Sequence, residues 1–435
     1  MEQLKKPTAE PEAADRMVRE RVEDMLAKLR QGREDVALGY ARDLDKWEGD
    51  PVLSDAKKAS LIATVPQRAR DDIRWAYDRV RAFAEAQAAS IQEFEMTPAP
   101  GIRLGQRLVP CSAAGCYVPG GRYAHIASAI MSVTTAKVAG VPFVAAASPP
   151  RGTSIDPSVA YALDLAGADV VLEMGGVHGL AAMAFGLFGL KPADILVGPG
   201  NAYVAEAKRQ LFGEVGIDVF AGPTESAVIA DETADPVTVA VDLASQAEHG
   251  TNSPVWLFTT HRPLAEEVMR LMPRIAATWP SGEVVAAAWE NHGEVILCES
   301  REEMVEVSDR YASEHLQVIA KDLEWWKEKL VNYGSLFLGA GSTVSHGDKC
   351  AGTNHILPTK GAARYSGGLN VMKFIKVLTW QEIQPEAALD INAVGSRISR
   401  LEGMDGHARA CDLRLRQTDP GRNWDFEVAE ERLDG

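Results

Sequence analysis

The chain is short of cysteine pairs, of positive charge and of long apolar runs, and each shortage removes a class of protein. Its five cysteines (Cys111, Cys116, Cys298, Cys350 and Cys411) are odd in number, scattered, and include no CxxC pair. Neither a disulfide framework nor a thiolate zinc cluster fits that pattern, so any metal has to be held by nitrogen and oxygen donors. Forty-five Lys and Arg against 61 Asp and Glu leave a formal charge of −16. That balance repels phosphate backbones and anionic lipid, so neither nucleic acid nor a membrane is an expected partner. The opening MEQLKKPTAEPEAADRMVRE is charged throughout, and no segment supplies the roughly 18 unbroken apolar residues of a membrane span. A cytoplasmic location is expected. Gly (37) and Pro (23) are near average usage and 46% of the residues are apolar, which is the composition of a globular chain. Its 435 residues suffice for two or more packed domains.

Residues 1–15, polar with two prolines, read as an arm. From Ala14 to about Ala89 the apolar residues recur at helical spacing, as in Val18, Val22, Met25, Leu26 and Leu29, and strand signals are nearly absent. Residues 16–116 are therefore expected to be helical. Short apolar runs ending in Gly or Pro turns then alternate with helix-like segments: VPFVAAAS (141–148), ADVVLEM (168–174) and DILVGPG (194–200). Such alternation predicts βαβ units in a parallel sheet covered on both faces, here a Rossmann-like domain over 117–222. After AGPTES (221–226) it resumes with VWLFTT (255–260), EVILCES (294–300), LQVIA (316–320) and SLFLGA (335–340). These predict a second Rossmann-like domain over 223–369, on which the helical N-terminal region is expected to pack. Beyond about Asn370 the strand runs stop, and 370–435 reads as a charged helical tail that docks on a partner subunit. The expected class is α/β, with two doubly wound domains, a helical N-terminal region and a helical C-terminal dimerisation tail.

Several constellations can carry chemistry. In DLASQAEHG (242–250), Gln246 and His249 lie three residues apart, about 60° apart on one helix face, so an amide oxygen and an imidazole can converge on one ion. An ordinary surface helix carries such a pair too. The Gly-punctuated HGDKCAGTNHILP (346–358) holds His346, Asp348, Lys349, Asn354 and His355, and reads equally as a turn or as a ligand-binding loop. Glu314 and His315 precede the strand-like LQVIA. An imidazole that takes a proton from an alcohol beside a carboxylate that activates water suits stepwise proton transfer. An exposed pair of turn residues is the alternative, and position at a strand end in an α/β sheet favours function. Three glycine turns, YVPGGRYAH (117–125), MGGVHG (174–179) and GPGNAYV (198–204), stand where strands hand over to helices and where backbone amides can bind a pyrophosphate. None is a GxGxxG fingerprint.

Together, YVPGG, GPGNAYVAEAKRQ, AGPTE, SQAEHG, SEHL, GTNHILPT and a late histidine, in that order over roughly residues 15–415, resemble the histidinol dehydrogenase family. The resemblance implies zinc held by Gln246, His249, Asp348 and His407, the last reaching in from the second subunit of a homodimer together with Glu402. It also implies Glu314 and His315 as the catalytic pair, NAD contacts at Tyr117 and Asn201, and substrate contacts at Thr224 and His355. A third cofactor contact, glutamine in the family, falls on His178 here. The implied reaction is a four-electron oxidation of an alcohol to a carboxylate through a bound aldehyde, with two NAD consumed in turn.

The pocket residues depart from what a histidinol site needs. Histidinol carries an ammonium, yet Arg122 and His125 follow YVPGG, Lys349 follows the zinc aspartate, and Thr224 stands for a usual serine. Basic groups there repel an ammonium and favour an anionic alcohol through charge-assisted hydrogen bonds, unless Arg122 and Lys349 face water or serve the cofactor phosphates. One branch of the family resembles this pattern, that of the sulfopropanediol dehydrogenases, which oxidise 2,3-dihydroxypropane-1-sulfonate to sulfolactate. That small anionic substrate is the expectation. Histidinol oxidation is the alternative, and zinc-dependent hydrolysis a remoter one.

Overall fold

The protein is described from a computed structural model covering residues 1–8, 13–120, 123–219 and 222–430. It forms two compact units, one of residues 1–89 and 110–374, the other of 90–109 and 375–435.

The larger unit is built on two sheets. The six-stranded one runs in the order Glu2–Lys5, Gly293–Leu297, Val255–Thr259, Ser226–Ala230, His315–Ile319, Ser335–Leu338. All its pairings are parallel except that of the first strand. Along its central strand, Val228 and Ala230 face a core with Leu243, Val268 and Val285, while Ala227 and Ile229 face another with Met304, Val307 and Trp326. Side chains alternate across a strand, so a sheet covered on both faces buries the positions of its central strands on either side. That is why those strands are largely apolar. The residues read as an arm do not all remain one: Glu2–Lys5 pairs antiparallel with Gly293–Leu297 and closes a sheet edge.

The five-stranded sheet is parallel throughout, in the order Val170–Glu173, Phe143–Ser148, Ala113–Tyr117, Ile195–Val197, Gly216–Ile217. Its helical cover corrects an expectation. Val22, Met25, Leu26 and Leu29 of the first long helix share a core with Leu172, Met174 and Leu180, and the buried carboxylate of Glu173 pairs with Lys57 at 2.6 Å. The N-terminal helices thus pack on the first sheet's layer, not on the second. An amphipathic stripe states that a helix face is covered but not by which partner.

The smaller unit holds a three-stranded sheet, in the order Ile375–Ile383, Ile102–Pro110, Phe94–Ala99, and two packed helices, Ala388–Leu401 and Asp405–Thr418. The helices are clamped by buried Asp412, which accepts hydrogen bonds from Ser396 Oγ (2.5 Å), Arg400 Nη2 (2.6 Å) and the Ala429 amide (2.8 Å). Two expectations fail here: 94–110 is a hairpin inside the region read as helical, and 375–383 is a strand beyond the point where strands were expected to stop. Both are largely exposed, so neither needs the apolar run by which a buried strand announces itself.

Candidate active site

The carboxyl ends of the first sheet carry the residues implied for the cofactor. Tyr117 ends its strand buried, its hydroxyl accepting the Gly176 amide at 2.9 Å, and burial pushes the phenol up to about 12. Beside it, Gly198 has φ +119°, and a Cβ there would collide with the Tyr117 carbonyl, so only glycine fits. Buried Lys208 donates to the Gly198 carbonyl at 2.9 Å and pairs with buried Asp218 at 2.5 Å. Asp218 in turn accepts the Gly198 amide at 2.7 Å. Asn201 caps the helix Ala202–Leu211, accepting the amides of Tyr203 (3.0 Å) and Val204 (3.1 Å). The cap uses its carbonyl oxygen and leaves its amide donors uncommitted to it.

His178 is held differently from the cofactor role implied for it. Its ring is buried and its Nε2 lies 2.8 Å from Asp45, whose same carboxylate oxygen accepts the Gly175 amide at 2.8 Å. With the Gly176 amide given to Tyr117, the leading amides of this glycine turn are occupied by protein oxygens. The anion seat that a helix N-terminus offers is filled here by Asp45. Arg122 lies outside the described residues.

Glu314 and His315, the pair implied for catalysis, stand at the amino end of the second sheet, not at the carboxyl ends where ligands of open α/β sheets usually bind. Glu225 and Glu314 each directly precede a strand, and the two strands are neighbours. The Glu225 amide donates to Glu314 Oε2 at 3.0 Å, and its carbonyl accepts from the His315 amide at 3.1 Å and lies 3.3 Å from His315 Nδ1. A proton on Nδ1 directed at that carbonyl leaves Nε2 as the working nitrogen, 3.3 Å from Asp348 Oδ1.

Asp348 sits in the last turn of the helix Val344–Lys349. Asp242, on the helix Pro236–Ala247, accepts from Thr343 (2.9 Å), which precedes the helix of Asp348, and from Gln317 of the strand His315–Ile319 (2.7 Å). His249 lies beside Asp348, its Nε2 3.8 Å from Asp348 Oδ2 and its side chain 35% exposed. Gln246 is buried, and its Oε1 has no hydrogen-bond partner. A buried acceptor without a donor is costly, and a cation satisfies it. One amide oxygen, one imidazole and one carboxylate are a donor set suited to zinc. No group of three or more His, Cys, Asp or Glu is arranged to hold a metal among the described residues, as a set with a single imidazole and a single carboxylate requires. His407, in the first turn of its helix, and Glu402 belong to the smaller unit and are exposed.

His355 joins the two sheets' contributions. Its Nδ1 lies 2.9 Å from the Asp348 carbonyl, and its Nε2 lies 2.8 Å from Oγ of Ser128, on the helix that follows Tyr117 and His125. Burial, with the charges of Lys349 and neighbouring imidazoles, lowers both His125 and His355 to about 4. Glu314 is raised to about 8, chiefly by burial, with Glu225 and Asp348 adding repulsion. At His315, burial opposes the charge, but Glu314 and Asp348 outweigh it and raise the imidazole to about 9. Asp348, for all its burial, is held well below the carboxylate range by His315 and the other imidazoles. Lys349 is exposed and Thr224 half-buried. Sequence reasoning missed Glu225, Ser128, Asp45, and the Lys208–Asp218 pair. Glu225 stood inside the quoted AGPTE and Lys208 inside GPGNAYVAEAKRQ; nothing local marks the others.

The whole chain has relatives. It matches the histidinol dehydrogenase family over residues 8–415. It is 54% identical over 431 residues to the sulfopropanediol 3-dehydrogenase of Ruegeria pomeroyi, covering 98% of this chain and 99% of that one. It is 56% identical over 402 residues to a histidinol dehydrogenase homolog of the same bacterium, covering 92% and 93%. The crystal structure of histidinol dehydrogenase from Elizabethkingia anophelis shares the fold with a TM-score of 0.87 at 30% identity, covering 95% of this chain and 94% of that one. The chain belongs to the histidinol dehydrogenase family, whose reaction is an NAD-dependent four-electron oxidation of an alcohol to an acid.

Proposed function

We propose that this enzyme oxidises a small anionic alcohol, 2,3-dihydroxypropane-1-sulfonate, to 3-sulfolactate. The observation that carries the choice of substrate is the charge beside the catalytic pair. Lys349 follows Asp348 directly, and after burial its charge is among the causes that lower His125, His249 and His355. A cationic amino-alcohol is repelled there and a sulfonate attracted. The relative named for sulfopropanediol oxidation matches over nearly the full length of both chains, which agrees with this reading.

Gln246, His249 and Asp348 would hold a zinc ion, with His407 of a second copy of the chain as fourth donor, and Tyr117 and Asn201 would seat the dinucleotide. When bound, the ion supplies a Lewis acid for the substrate oxygen and the dinucleotide accepts hydride. In its neutral form, favoured on the alkaline side of its raised value, His315 takes the hydroxyl proton at Nε2, its ring held by the Glu225 carbonyl. Glu314, once ionised, takes a proton from the water that adds to the aldehyde. His355, neutral and fixed between Ser128 and Asp348, orients the substrate, and Lys349 binds its anionic end. The exposed apolar stripe of Ile391, Val394, Ile398 and Leu401 spans three turns of one helix, as a surface covered by a second subunit does.

Initial NADH formation with the sulfonated diol and with histidinol, at equal concentrations, tests the assignment. The diol is the preferred substrate, and preference for histidinol retires the reading. Lys349→Met raises KM for the diol about tenfold, the cost of one charge-assisted hydrogen bond, and leaves zinc content unchanged.

A further inference from the structure

Glu225 gives and takes no proton in the chemistry above, yet it touches both members of the proton-transferring pair, Glu314 and His315. Its amide donates to Glu314 and its carbonyl receives His315 through both backbone and ring. Its side chain is 6% exposed and points elsewhere: Oε1 accepts the Lys360 amide at 2.8 Å, while Oε2 is buried with no partner. Lys360 ends the segment that begins with His355, and its φ of +54° is unusual for a residue with a Cβ. The same two segments share one more tie, the Gly222 amide donating to Thr359 Oγ1 at 2.5 Å. The strand start that orients the catalytic pair is thus stitched to the segment that carries the substrate-orienting imidazole, and the buried carboxyl is the central stitch.

We propose that Glu225 is a positioning residue for this oxidation: its carboxyl, anchored on the Lys360 amide, fixes the peptide that aims Glu314 and His315 and keeps both in register with His355. The proposal rests on the oxidation reading above. What the role needs is an acceptor at the reach of a glutamate, not a negative charge. The burial that raises this carboxyl to about 7, against the lowering pull of the Lys360 amide and of the Lys360 and His315 charges, agrees.

Three substitutions separate reach from charge. Glu225→Gln keeps the acceptor and its reach but loses the charge. Glu225→Asp keeps the charge and falls one methylene short. Glu225→Ala removes both. With zinc-loaded enzyme, Glu225→Gln retains kcat within about threefold, whereas Glu225→Asp and Glu225→Ala lose about tenfold or more, since a small misplacement of reacting groups is costly. KM for NAD and zinc content stay at wild-type values in all three. If the alanine variant fails to fold, the Gln and Asp variants decide between them. An aspartate variant that keeps kcat while the glutamine variant loses it overturns the proposal, and so does wild-type kcat in the folded Ala or Asp variant. The series is assayed on whichever alcohol the wild-type enzyme oxidises faster. A wrong substrate then shows in the wild-type preference, and a wrong role for Glu225 only in the variants.

Discussion

At the scale of single residues, the site is a set of ionisable groups moved in opposite directions by one cause. Burial raises Glu314 to about 8 and Glu225 to about 7, and lowers His125 and His355 to about 4. Their signs in the stability of the metal-free protein differ. The unfolded chain protonates the two histidines from pH 6.5 downward while the folded chain does not until about 4, so stability is lost as pH falls through that window, by up to about 1.4 kcal/mol per pH unit for each group. The raised carboxyls act the other way: the folded chain holds their protons longer than the unfolded one, and stability falls as pH rises from 4.5 through 7 and 8. His125→Asn should therefore flatten the acid side of the profile. Urea midpoints of the metal-free protein between pH 4 and 6.5 check this, and an unchanged slope would refute the placement of His125 in a dry, cation-rich pocket. Glu314 and His315 were legible as a candidate pair at a strand end from their residue types and position, and Asp348 as a zinc ligand only through the family resemblance. Glu225 was not, because a carboxylate that acts through its own peptide group looks the same in sequence as one on the surface.

At the scale of elements, a buried ion pair holds the turn after the Ile195–Val197 strand. Lys208 reaches from the next helix to the Gly198 carbonyl and to Asp218, which returns to the Gly198 amide. Lys208→Met leaves Asp218 buried without its counter-charge, at a cost of about 3–5 kcal/mol, and frees the turn under Tyr117. Denaturant unfolding should show that loss, NAD titration should show weaker binding, and the double variant Lys208→Met with Asp218→Asn should recover part of the stability. Full stability in Lys208→Met would show that the pair does not brace the turn. The central strands of both large sheets were readable because double cover buries nearly every residue along them. The hairpin 94–110 and the strand 375–383 were not, since exposed strands can be polar. The helix that carries Val22 and Leu29 displayed its apolar stripe clearly, and nothing in the stripe said which sheet would receive it.

At the scale of the whole molecule, the proposed zinc site draws Gln246, His249 and Asp348 from one unit and His407 from the other unit of a second copy. If so, a His407→Ala chain and a Gln246→Ala chain, each inactive alone, restore one complete site per mixed dimer. Equal mixing with free exchange then recovers about a quarter of wild-type activity, because half the dimers are mixed and each has one working site. No recovery after exchange is verified by mass spectrometry would mean that each chain furnishes its own fourth donor. By itself the sequence determined the chemistry on offer: nitrogen and oxygen donors in place of thiolates, a glutamate–histidine pair, glycine turns, and basic residues beside them. These depend on residue type and local spacing, which the chain states directly. Only the tertiary structure decided which end of each sheet carries the site, that Asp45 fills the anion seat below His178, and that Glu225 ties the catalytic pair to His355. Those facts join residues far apart in the chain, and contacts of that kind are chosen by packing and burial, which no local pattern records.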